Sequence, residues 1–206
     1  KENVNTDYTQ YRKKIKKLSY LLGLRMERTK ITVDQRTTTE TNVRIYNSWF
    51  PTINLSYEME NSGSFQLGYS RRIRRPRSYF INPFPSRSSV TNIFQGNPYL
   101  DPTFSNALDL GYLKRWKKFT FNSSVYYQKS NRVFTFIAED TGETVFLNQD
   151  LDNPLSTGVE LPVIRRTPIN LAENIRWGTE FNLSFFPSRK IRFNGNFNFF
   201  NSETIG

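Results

Sequence analysis

The sequence predicts an all-β fold, an antiparallel transmembrane β-barrel, and three observations carry that prediction. Apolar and polar residues alternate with period two through most of the chain. The connections between alternating segments are in turn short and long. Mean hydropathy is only −0.63, although aromatic residues make up 16% of the chain. A barrel strand can be polar at every second position and still cross a bilayer, because only one face meets lipid.

Composition narrows the function classes. The 206 residues carry a formal charge of +11 and contain neither cysteine nor histidine. A disulfide framework and a thiolate metal site are therefore unavailable, and the commonest general base and metal ligand is missing. No apolar run reaches the roughly 18 to 20 residues a spanning helix needs.

Eight strands are predicted, at 3–12, 17–31, 43–59, 64–75, 104–115, 119–135, 173–186 and 191–203. In the second, Leu18, Tyr20, Leu22, Leu24 and Met26 oppose Ser19, Gly23, Arg25 and Glu27, with Leu21 as an exception. In the third, Ile53, Leu55, Tyr57 and Met59 oppose Thr52, Asn54, Ser56 and Glu58. The fourth sets Phe65, Leu67 and Tyr69 against Gln66 and Ser70. Phe104, Leu108, Leu110 and Tyr112 form the apolar side of the fifth, and Phe119, Phe121, Val125 and Tyr127 that of the sixth. Phe181, Leu183 and Phe185 mark the seventh. Ile191, Phe193, Phe197 and Phe199 mark the last, with four polar residues, Arg192, Asn194, Asn196 and Asn198, opposite. Helical spacing is absent from these segments, and most are longer than the five or six residues usual in a soluble sandwich.

Short turns are expected at about Arg12–Lys16, Glu60–Gly63, Trp116–Lys118 and Phe186–Lys190. Long connections are expected at about Thr32–Asn42, Arg75–Thr103 and Phe136–Ala172. Outer-membrane barrels pair short periplasmic turns with long outer loops in this way. Trp49-Phe50, Tyr79-Phe80, Trp116, Tyr126-Tyr127 and Trp177 lie near strand ends, where amphipathic rings favour the headgroup level.

The polar feature that stands out is Arg71, Arg72, Arg74, Arg75 and Arg77, where the fourth strand leaves the membrane. Arg75-Pro76 ends the regular pattern, and Gly96-Asn97-Pro98 precedes its return. The arginines and Asn97 are the candidate ligand-binding residues, since guanidinium forks suit phosphate and carboxylate ligands, including those of lipopolysaccharide. The competing reading is ion pairing of the arginines with Glu27, Glu58 or Asp109. Asp150, Asp152 and Asn153 could offer oxygens to calcium, but the glycine and bidentate glutamate of a calcium loop are missing, so no metal and no cofactor is expected. No nucleophilic triad is assembled, and a non-enzyme is expected. A basic, aromatic β-protein could also bind single-stranded nucleic acid, but such a site needs aromatics on the basic face, and here the two are segregated, so no nucleic-acid partner is expected.

Tyr69-Ser-Arg-Arg-Ile-x-Arg-Pro76, Asn82-Pro-Phe84 and Gly96-Asn-Pro-x-Leu-x-Pro102 together resemble the barrel of the TonB-dependent outer-membrane receptors. Gly23-Leu-Arg-x-Glu27-x-Thr29, Trp49-Phe-Pro51 and Trp177-Gly-Thr-Glu180-Phe181 extend the likeness in the family's order over most of positions 17–200. The resemblance implies a Gram-negative outer-membrane location and active uptake of a scarce ligand: a siderophore, vitamin, oligosaccharide or peptide. Its implied partners are outer-membrane lipid, lipopolysaccharide and the TonB complex, the last reached through a plug domain that is not in this chain. It implies about 22 strands, so residues 1–206 are expected to be one partial barrel domain. A passive porin or an adhesin is the alternative within the membrane.

Overall fold

The computed structural model describes residues 1–35, 40–60, 62–147, 158–188 and 190–206. Asp150, Asp152 and Asn153, the weighed calcium ligands, lie outside the described residues. The chain forms one curled sheet, half of a barrel, with no α-helix among the described residues. Its wall strands are β1 (Glu2–Ile15), β2 (Leu18–Gln35), β3 (Glu40–Glu58) and β4 (Gly63–Arg74). A long connection holds a 3-10 turn (Ser78–Ile81) and two short strands, β5 (Ser86–Arg87) and β6 (Asn92–Phe94). The wall then resumes with β7 (Thr103–Arg115), β8 (Phe119–Leu147), β9 (Val159–Ser188) and β10 (Ile191–Ile205). Wall neighbours follow chain order and are all antiparallel; β6 runs parallel to β9.

All eight predicted strands are present, and the register shows why the alternation works. Leu55 pairs with Leu67, Leu67 with Leu110, Leu110 with Val125 and Val125 with Thr179. Directly paired residues share a face, so the apolar positions of neighbouring strands merge into one continuous band. That band is open to its surroundings: Leu110 is 50% exposed, Val125 56% and Phe197 61%. The fully buried apolar residues among those described are only Phe50, Leu100, Val163 and Ala172. A soluble sandwich would close these Phe and Leu side chains against a second layer; this sheet turns them outward, where lipid is the solvent that accepts them.

The structure corrects two of the predicted long loops. Thr32–Asn42 is mostly strand, since β2 runs to Gln35 and β3 begins at Glu40. Phe136–Ala172 is likewise a tall hairpin in which Phe136 pairs with Pro168 and Leu147 with Val159. These parts stand beyond the apolar band with both faces wet, so nothing selects for period two there. The turn after β1 is also tighter than expected, with β1 continuing to Ile15 and Lys16 taking φ 52°. Pro187 and Ser188 belong to β9, not to the following turn.

Two of the expected girdle aromatics point elsewhere. Trp49 is half exposed on the outer face, whereas Phe50 turns inward, 3% exposed, under the Arg25 guanidinium at 4.8 Å. Phe80 leaves the wall altogether and packs with Phe94, Phe134 and Phe136 at centroid distances of 5.3 to 6.3 Å.

Candidate functional site

The mouth of the sheet is built where β4 ends. Alternation continues through the arginines: Arg71 pairs with Asn106 in the outer-face register of Tyr69 and Leu108, whereas Arg72 and Arg74 pair with Ser105 and Thr103 on the inner side. The five arginines therefore divide among different surroundings.

Arg75 is a structural centre. Its Nη2 makes a short contact with Glu27 Oε2 and donates to Thr29 Oγ1 at 3.2 Å, while its Nε lies 3.2 Å from Glu2 Oε1. Arg25 Nε approaches the other Glu27 oxygen at 3.1 Å. Burial alone would lower the Arg75 pKa, but the hydrogen bond and charge of Glu27 hold it above its ordinary value, so the guanidinium stays charged. The ion-pair reading is thus realised for Arg75 and Glu27. Glu58 pairs with Lys14 instead, at 2.8 Å. Among the described residues no carboxylate lies within ion-pair distance of Arg72, Arg74 or Arg77; Arg74 instead sits 5.1 Å over the Phe134 ring.

The connection from Arg75 to Pro102 does not hang free. Its strand β6 adds to β9 through Asn92↔Ile164 and Phe94↔Arg166. That edge of β9 is available because β10 stops at Ile205, opposite Glu173. Phe80 and Phe94 seat the connection on Phe136 of β8. Asn97 then fixes its return: its Nδ2 donates to Pro168 O at 3.2 Å, its Oδ1 accepts from Tyr99 N at 2.9 Å, and its N–H donates to Phe80 O at 2.7 Å.

Gly96 is required beside it. A Cβ there would stand 2.7 Å from Phe80 O and 2.8 Å from Asn82 N, both backbone atoms that cannot swing away. Gly96→Ala is expected to unseat the connection at a local cost of about 1 to 3 kcal/mol. Amide exchange at Asn97 reads this directly and should accelerate at least tenfold, while exchange in β7 stays unchanged.

Asp101 closes the arrangement. Its carboxylate pairs with Arg44 and with Arg132 Nη1 at 3.3 Å, and its N–H donates to Asn170 Oδ1 at 2.6 Å. Arg44 Nη1 also donates to Leu100 O at 2.9 Å. Segment 100–102 thereby ties β3 to β9 across the mouth. Neither Asp101 nor Arg44 stands out in the sequence, because nothing local marks two residues 57 positions apart as partners.

A half-barrel sheet with an aromatic outer band, a polar inner face and a basic, loop-spanned mouth defines a class: outer-membrane β-barrel proteins. The chain belongs to the outer membrane protein beta-barrel family, whose family model matches residues 1–206. Its place is the outer membrane. No curated protein matches it. Among solved structures, it is similar to the hemophore receptor HasR of Serratia marcescens, with TM-score 0.68 and 14% identity over 100% of this chain and 34% of that one. The siderophore receptor PirA from Acinetobacter baumannii gives TM-score 0.67 and 16% identity over 97% of this chain and 27% of that one. The FrpB iron transporter from Neisseria meningitidis (F3-3 variant) gives 0.62 and 14% over 98% and 26%. These likenesses are of fold, and the chain spans about a third or less of each receptor.

Proposed function

We propose that residues 1–206 form one partial domain of the wall of a TonB-dependent receptor, a non-enzymatic barrel that takes up a scarce ligand with energy supplied from the periplasmic side. The single observation that supports this best is the mouth itself. Arg72 and Arg74 project on the inner side with no carboxylate partner among the described residues, beneath a connection anchored across three wall strands. A water-filled entrance with fixed positive charge concentrates anionic solutes.

In this reading Arg72, Arg74 and Arg77 are the ligand-facing members of the arginine group. Arg75 and Asn97 hold the connection in place, and Arg71 serves the outer face. The tall β8–β9 hairpin and the Arg75–Pro102 connection form the outer vestibule. The ligand class is an anionic chelate or other small anionic nutrient, and a plug domain outside this chain carries the coupling to TonB.

The test is uptake by cells carrying the full-length gene, with and without Arg72→Gln/Arg74→Gln. Radiolabelled ferric catecholate and ferric citrate serve as probes. Uptake that is abolished by a protonophore and lowered about tenfold by the double substitution is expected, from the loss of two charge-assisted contacts. Protonophore-insensitive entry of small solutes would instead identify a passive barrel.

A further inference from the structure

β3 and β4 part company partway up the wall. β3 stays paired with β2 as far as Glu40, but its pairing with β4 ends at Thr52↔Ser70. Above that point a wedge opens in the sheet between β3 on one side and β4 and β7 on the other, roofed by Asp101 and Pro102, and it encloses about 630 Å³. That volume is in the range of small-molecule sites.

The wedge is lined by polar groups that the fold leaves unused. Ser48 is 5% exposed, and its Oγ has no hydrogen-bond partner; the same holds for Arg71 Nε and Asn131 Oδ1. Buried polar atoms are almost always paired, so three unpaired ones around one cavity indicate that something outside the chain completes them. Charge indicates its sign. Arg44, Arg71 and Arg132 line the wedge against a single carboxylate, Asp101, which both Arg44 and Arg132 already engage. Arg71 faces no carboxylate among the described residues; its guanidinium lies flat over Phe104 at 5.1 Å, which leaves its edge donors free to turn into the cavity.

Position narrows the ligand further. Arg71, Asn106 and Asn131 stand in the outer-face register of Tyr69, Leu108 and Tyr127, one or two steps beyond the apolar band. Trp49, half exposed on the adjoining stretch of β3, marks the same boundary. Headgroups occupy this level of the outer leaflet.

We propose that the wedge is a phosphate site at the headgroup level, with Arg71 giving a charge-assisted hydrogen bond and Ser48 and Asn131 completing the contacts. It rests on the outer-membrane placement of the apolar face and is independent of which ligand is taken up.

The test uses the full-length protein in detergent, observed by native mass spectrometry with three probes: bis-phosphorylated lipid A, the same lipid dephosphorylated, and inorganic phosphate. One equivalent of phosphorylated lipid should be retained, and Arg71→Gln should weaken retention about tenfold, the scale of one charge-assisted hydrogen bond. Arg77→Gln, outside the wedge, should leave it unchanged. Binding of inorganic phosphate alone, sensitive to Arg71→Gln and equal in affinity to that of the lipid, would support the site and assign it to a free anion. Equal retention of both lipids, or no response to Arg71→Gln, overturns the proposal. Heat-modifiable migration on gels verifies folding; should Arg71→Gln fail to fold, Asn131→Leu tests the same contact without removing a charge. Uptake is measured separately, so a negative result here leaves the transport reading standing.

Discussion

Leu110→Arg in the full-length protein should impair folding into lipid vesicles by about 2 to 4 kcal/mol, the cost of a guanidinium on the lipid face near the bilayer midplane. Leu110 is the central outer residue of β7, flanked by Leu67 and Val125 in its own register row and half exposed in the sheet. Its new neighbour would be hydrocarbon, with no carboxylate in reach. Ser124→Arg is the matched control. Ser124 pairs with Gly111, one residue along β8 from Val125, and therefore faces the inner, hydrated side. That substitution should shift the urea midpoint little. The contrast between neighbouring positions carries the information, because a general intolerance of arginine would affect both.

Glu27→Leu is the second large effect. Glu27 is 6% exposed and receives Arg75 and Arg25. Without it Arg75, only 23% exposed at its side chain, keeps Glu2 at 3.2 Å as its carboxylate partner. Removing one member of a buried pair leaves a charge insufficiently compensated, and a loss of about 2 to 4 kcal/mol is expected. Glu27→Leu combined with Arg75→Met should cost less than Glu27→Leu alone, since the stranded charge goes with its partner. Urea unfolding of the three variants in vesicles measures both quantities. Additive losses would show that the two side chains act independently.

What could be read in the sequence was whatever the membrane imposes. Where one face meets lipid and the other water, every second residue is constrained, and β4, β7 and β10 are plain in the pattern. Above the band that constraint lifts. Glu139 and Arg165 form an exposed pair at 3.0 Å between β8 and β9, in a hairpin that is wet on both sides and so shows no alternation. Pro162 and Pro168 also argue against strand, yet both lie in β9, whose far edge is free of β10 at that height, so no ladder bond is lost there.

At the site, the split of the arginines was implicit in the alternation: once Tyr69 faces outward, Arg71 must follow it and Arg72 must oppose it. The limits of the long connection were marked by Arg75-Pro76 and Gly96-Asn97-Pro98. Its destination was not, because the parallel pairing of Asn92–Phe94 with β9 joins segments some 70 residues apart through backbone groups that every residue possesses. Glu27 was one of three carboxylates that could have met an arginine, and only the curl of the sheet selects it.

The central claim is that lipid lies on the Phe/Leu/Tyr face and water on the other. With no native cysteine, single substitutions at consecutive positions 107 to 112 of β7 can each carry a nitroxide label in outer-membrane preparations. The account predicts that collision with oxygen, which partitions into lipid, is high at 108, 110 and 112, and that collision with a water-soluble nickel chelate is high at 107, 109 and 111. A profile without period two, or one with the phases exchanged, would contradict it.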